Sequence, residues 1–139
     1  MRWVLDTNVI VAAFRSRDGA SNQILRHAID QRFDLLLSTA LFLEYEAVLK
    51  RDEIRAVPRH SLSDVDRIMA SIAALATPVD ILFRTRPRLR DAGDEMILEV
   101  ALNGMASAIV THNLRDFETH PPPECEVLVP RVALEKLIK

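Results

Sequence analysis

The sequence predicts an α/β fold, a three-layer α/β/α sandwich built on a mainly parallel central sheet. Two observations carry that expectation. Short apolar runs alternate with longer stretches whose apolar residues recur at helical spacing, the pattern of strand–helix–strand units. No internal repeat or low-complexity linker interrupts the 139 residues, a length that suits one domain over residues 1–139. Right-handed crossovers between parallel strands would place helices on both faces of the sheet.

The elements follow in order. Trp3-Val4-Leu5 is a short buried strand that ends at Asp6, and Val9 to Phe14 starts a helix. Ser21 to Ile29 is helical, with Ile24, Leu25, Ala28 and Ile29 on one face. Leu35 to Leu37 is the second strand. Ser38 or Thr39 then caps a helix that runs to about Lys50, where Glu46 can pair with Lys50 one turn on. Ser61 to Ala76 is a long helix stopped by Thr77-Pro78, and Val79 to Phe83 reads as a third strand. Asp94 to Asn103 is helical, with Ile97, Val100 and Ala101 inward and Gly104 placed to end it. Ala108 to Thr111 is a strand, Val127 to Val129 an edge strand, and Pro130 opens a last helix to Leu137.

Composition narrows the function. The formal charge of −2 gives no global sign of nucleic-acid binding, so any such role rests on local patches. A single cysteine, Cys125, excludes a disulfide framework and suits a reducing cytoplasmic setting. Asp6 and Asn8 interrupt the first apolar stretch, so no secretory signal is expected, and no run reaches the length of a membrane span. Three glycines are too few and too scattered for a Gly-rich phosphate cradle.

In parallel α/β sheets, ligands bind beyond the carboxyl ends of the strands. Asp6 directly follows the first strand, Glu44 lies in the helix after the second, Asp91 and Asp94 open a later helix, and Asn113 and Asp116 follow the Ala108–Thr111 strand. These loci can meet at one edge of the sheet. Each also has a plainer reading: Asp6 and Asp94 as helix N-caps, Glu44 as a carboxylate beside an apolar stripe. Glu99 reads as surface and Glu95 as a peripheral oxygen ligand. Converging carboxylates repel one another unless a cation sits between them. Mg²⁺ and Mn²⁺ are hard ions that take oxygen ligands, and such ions cleave phosphodiesters by activating water and stabilising the leaving oxygen. His27, His60, His112 and His120 show no zinc-site spacing.

Four segments together resemble the PIN-domain family: Val4 to Val9, Ser38 to Tyr45 with Leu41, Glu44 and Tyr45, Arg90 to Ala101, and Ala108 to Phe117. They occur in family order across nearly the whole chain. The nearest likeness is to the bacterial and archaeal group of toxins from toxin–antitoxin pairs. The resemblance implies a Mg²⁺- or Mn²⁺-dependent endoribonuclease acting on single-stranded RNA and leaving a 5′-phosphate and a 3′-hydroxyl. It places the family's first three acids at Asp6, Glu44 and Asp94. The fourth, usually within a T-x-D pattern, falls on Asn113, which supplies an oxygen but no charge; Asp116 lies one helical turn further on. Thr7, Asn8, Asp91, Glu95 and Thr111 take supporting places. An antitoxin partner and a homodimer are further implications of the resemblance.

For the substrate, Arg84, Arg86, Arg88 and Arg90 alternate on either side of Pro87, so an extended segment puts all four on one side, leading into Asp91 and Asp94. Arg51, Arg55 and Arg59 offer a second basic edge. Phe14, Phe33, Phe42, Phe83 and Phe117 sit in or beside apolar runs and read mostly as core, which leaves no stacking platform for bases. Two other readings compete. One is a PIN-like module that binds RNA or protein without cutting, suggested by Asn113. The other is a phospho-receiver domain, which requires an acidic pair after the first strand and a late lysine; this chain has Asp6 alone and no lysine between Lys50 and Lys136.

Overall fold

The computed structural model describes residues 1–56, 59–84, 92–118, 122 and 124–138. Strand β1 (Arg2–Leu5) forms because Trp3, Val4 and Leu5 are apolar on both faces of the chain, and all three are buried. It pairs in parallel with β2 (Asp34–Leu37) on one side and β4 (Ala108–Val110) on the other, Trp3 lying opposite both Leu35 and Ala108. The two-residue β3 (Thr77–Pro78) and β5 (Glu126–Leu128) form the edges, so the order is β3-β2-β1-β4-β5, all parallel. Helices flank this sheet in the expected α/β/α arrangement.

Strand order positions the site. From β1 the chain winds outward to β2 and β3, then returns to the other side of β1 as β4. The carboxyl ends of β1 and β4 therefore flank the point where winding reverses, the place at which doubly wound sheets leave a crevice. Asp6 and Thr111 are the first residues beyond those ends.

The helices follow their caps and apolar stripes. The first two are α1 (Thr7–Arg15) and α2 (Ala20–Ile29). In α3 (Thr39–Leu49) the side chain of Ser38 accepts the Leu41 amide at 3.1 Å, and Glu46 pairs with Lys50 at 3.7 Å. A short α4 (Asp52–Ala56) follows. Helix α5 (Leu62–Leu75) opens with a full capping box between Ser61 and Asp64. Helices α6 (Ala92–Asn103), α7 (Arg115–Glu118) and α8 (Pro130–Ile138) complete the chain. No helix among the described residues is long and apolar enough to cross a membrane.

Several expectations are corrected. The third strand is Thr77–Pro78 rather than Val79–Phe83. Val79 still bonds the Leu37 carbonyl at 2.9 Å, but beyond it the backbone leaves the sheet and Asn103 captures it. Its Oδ1 accepts the Leu82 and Phe83 amides, and its Nδ2 donates to the carbonyls of Phe83 and Glu99. That clamp leaves Leu82 and Phe83 exposed, so Phe83 is not core. Ile29, at the last residue of α2, also points outward.

Gly104 ends α6 by a different mechanism from the one expected. The left-handed residue is Met105, at φ 52°, with the Ala106 amide reaching back to the Ala101 carbonyl at 2.9 Å. Gly104 is required by space: a Cβ there would lie 2.9 Å from Leu36 Cδ1 and 3.0 Å from Val79 Cγ2. Helix α2 ends the same way, with Gln31 at φ 57° and the Arg32 amide on the His27 carbonyl.

Candidate functional site

Asp6 stands at the N-cap position of α1, yet its side chain makes no capping bond. It is instead the acceptor of a 2.7 Å hydrogen bond from the Thr111 hydroxyl, while its own amide bonds the Val110 carbonyl at 2.8 Å. Asp6 is only 7% exposed and Thr111 is fully buried. Burial pushes the Asp6 carboxyl above its ordinary range; Thr111 and the Thr7 and Asn8 amides pull it down, and the charge of Asp116 pushes it further up. A carboxylate whose burial outweighs its hydrogen bonds, and which feels a second negative charge, is unfavourable as it stands. The helix-cap explanation therefore does not account for it.

Helix α3 is fixed to the same point by Tyr45, whose buried hydroxyl donates to the Leu5 carbonyl, the residue before Asp6. Burial, and then the charge of Asp6, raise the Tyr45 phenol well above its usual range, so it stays a neutral donor. The next residue back along α3, Glu44, is half-buried. Its helix packs against both α1 and α6. Tyr45 was not singled out as a site residue from the sequence; its signal was a lone tyrosine on the Leu41–Val48 stripe.

Helix α6 lies on β1 and carries Asp94 and Glu95 in its first turn. It begins two residues before Asp94, so that residue is not its N-cap. Asp94 is half-buried, whereas Glu95 and Glu99 are buried. The expectation of a surface Glu99 is thus overturned. Residues 97, 98, 100 and 101 are buried as well, so α6 is enclosed on most of its circumference and leaves no outward place for position 99.

Beyond β4, Thr111 also accepts the Asn113 amide at 3.0 Å, which folds the chain over the site. The His112 amide bonds Asn8 Oδ1 at 3.3 Å, and the His112 ring bonds Ser21 of α2 at 3.2 Å. Asn113 and Asp116 are exposed beside this turn. Of the basic strip, Arg84 is exposed in irregular backbone; Arg86, Arg88, Arg90 and the acid Asp91 lie outside the described residues. Burial, and then the charge of Glu126, push the Cys125 thiol up to about 11, which disfavours the thiolate.

Among the described residues, no three His, Cys, Asp or Glu side chains lie close enough to hold a metal ion. Asp6 and Asp116 do feel one another's charge. The donor set nonetheless fits a hard cation, because such an ion relieves both the desolvation of Asp6 and its repulsion by Asp116.

A family profile for the PIN domain matches residues 2–115, and the chain belongs to that family. The matched span includes Asp6, Glu44, Asp94, Thr111 and Asn113; Asp116 falls just outside it. Among solved structures, the chain is similar to one from the crystal structure of VapBC2 from Rickettsia felis bound to a DNA fragment from their promoter. The two share 13% identity over 93% of this chain and 98% of that one, with a TM-score of 0.63, a likeness of fold. No curated protein matches the sequence.

Proposed function

We propose that this chain, as a single domain over residues 1–139, is a metal-dependent endoribonuclease that hydrolyses phosphodiester bonds of single-stranded RNA. The observation that carries the proposal is Asp6, a buried carboxylate at the winding reversal of a PIN-family sheet, facing a second carboxylate. Asp6, Glu44 and Asp94 would hold Mg²⁺ or Mn²⁺, with Asn113 and Asp116 at the rim. When bound, the ion supplies a Lewis acid and an activated water. The chain supplies orientation: Thr111 fixes the Asp6 carboxylate, Tyr45 locks the helix of Glu44 to β1, and Asn8 holds the turn at His112. Asn113 in place of a fourth acid removes one negative charge, which favours one well-held ion over two.

A toxin role in a toxin–antitoxin pair, in the cytoplasm and with an antitoxin or a second copy as partner, is supported by the resemblance of the four sequence segments. The fold neighbour from an assembly bound to promoter DNA points the same way. A non-cutting module is the second reading, favoured by Asn113 and by the absence of a closed three-acid cluster among the described residues.

Labelled single-stranded RNA incubated with wild type and with Asp6→Asn, in Mn²⁺ or Mg²⁺ and in EDTA, separates the two. Metal-dependent cleavage that disappears in the variant is the expected result. A folded wild type that binds several RNAs and cuts none with either metal would move the assignment to the non-cutting module.

A further inference from the structure

A cleft of about 730 Å³ opens between α1, α2 and α5, lined by none of the candidate metal-site residues. We infer that this cleft binds backbone phosphates of a single-stranded nucleic acid, at a position separate from the acidic centre.

Its walls carry four guanidinium groups from three parts of the chain: Arg15, Arg17, Arg59 and Arg67. This regroups the basic edge expected at positions 51, 55 and 59. Arg55 is occupied by Asp52 and by the carbonyls of Lys50 and His60, while Arg59 faces the cleft. Among the described residues, none of the four arginines has a carboxylate within ion-pair distance. The one acid in the cleft, Asp64, is already engaged: it accepts the Ser61 amide at 2.8 Å in the cap of α5 and lies 3.7 Å from His60. Arg15 is held in place by the Glu53 carbonyl at 2.9 Å. Asp64 also feels the charge of Arg67, yet four arginines against one acid leave the cleft cationic, and in a chain of net charge −2 it is a local attractor for polyanions.

Among the described residues, Asn22 Oδ1 and His60 Nε2 are shielded from solvent beneath the cleft wall and have no hydrogen-bond partner. The Asn22 amide nitrogen is already used on the Ala13 carbonyl at 2.7 Å, which leaves Oδ1 as an acceptor seeking a donor. What the cleft presents to a ligand is its arginines, and arginines call for oxyanions. A single-stranded nucleic acid offers one at every nucleotide along a flexible backbone.

Connectivity favours one strand that serves both sites. Ser21, beside Asn22 on α2, bonds His112, which follows Thr111 directly. The cleft thus adjoins the turn that closes the acidic centre. The identity of the strand as RNA rests on the nuclease reading; phosphate binding itself does not.

Fluorescence anisotropy with a labelled single-stranded RNA, in EDTA to prevent cleavage, tests the inference on the full chain. The comparison is wild type against Arg17→Ala/Arg67→Ala; both side chains are exposed, so melting temperature should hold. Expected are an approximately tenfold weaker Kd near 0.1 M salt and a log–log salt slope shallower by about 0.7 per arginine. An unchanged Kd and slope in a folded variant would overturn the proposal. So would displacement of the RNA by oligoglutamate as effective as that by an oligonucleotide of equal charge, which would assign the cleft to an acidic peptide. Cleavage by wild type with Mn²⁺, read separately, reports on the nuclease reading alone, so the two can fail independently.

Discussion

Asp6 and Asn103 are both polar residues held at the boundary of the core, and they are held to opposite ends. Asn103 satisfies itself completely: two amides donate to its oxygen and its nitrogen donates to two carbonyls, which ties the chain at positions 82 and 83 to the end of α6. Asp6 is buried with one side-chain donor, Thr111, and a carboxylate neighbour that disfavours its charge. Satisfied polar groups contribute to the fold; a group kept in an unfavourable state at the reversal point of a parallel sheet is available for chemistry. The pair contrasts a satisfied polar group with one left unfavourable in the same chain.

The largest expected effect tests the functional member. If Asp6 holds the proposed ion, Asp6→Asn should reduce RNA cleavage by roughly a hundredfold or more, because several kcal/mol of charge stabilisation would go with it. The same variant should melt at a higher temperature than wild type in EDTA. The folded pKa of Asp6 lies above its unfolded value, so the folded chain binds that proton more tightly. This contribution to stability is present at low pH and lost as pH rises through the folded pKa, and the Asn variant should not show that loss. A variant that melts lower throughout would erase the contrast with Asn103.

On the structural side, Gly104→Ala should cost about 1–3 kcal/mol, since the added methyl meets Leu36, Val79 and the Val100 carbonyl at 2.9–3.0 Å. Urea denaturation measures it. Asn103→Ala should cost about 1–2 kcal/mol, less than four full hydrogen bonds because the freed groups at 82 and 83 can reach water. Its cleavage rate per folded molecule should match wild type; a loss of activity beyond the loss of folded protein would give Asn103 a functional share. The smallest effect is a gain: Met105→Gly relieves a left-handed backbone and should stabilise by up to about 1 kcal/mol.

The sequence made the centre of the sheet more legible than its margin. The strands around β1 and β4 are unbroken apolar runs, and α3 and α5 announce themselves through Ser38 and Ser61. Thr77-Pro78 reads as a helix stop and turned out to be the edge strand as well, because a strand of two residues has no periodicity to detect. Met105 and Gln31 adopt conformations that usually draw glycine, so the left-handed residues that follow α6 and α2 carry no compositional mark. Glu99 looked solvent-exposed because neighbouring residues give no hint that β1, β2 and β4 lie under α6. In the site, Asp6 and Thr111 were both visible, one after the first strand and one closing the Ala108–Thr111 run, but not the 2.7 Å bond between them. The arginine cleft was invisible for the same reason: its members come from α1, the turn after it, the residue before His60, and α5.

Calorimetric titration of Mn²⁺ into wild type and Asp6→Asn tests the central claim, that the buried acid is the heart of a cation site, most directly. Saturable binding by wild type that is lost in the Asn variant, with both proteins folded, is the expected result. Equal binding by the two, or none by either, would contradict it.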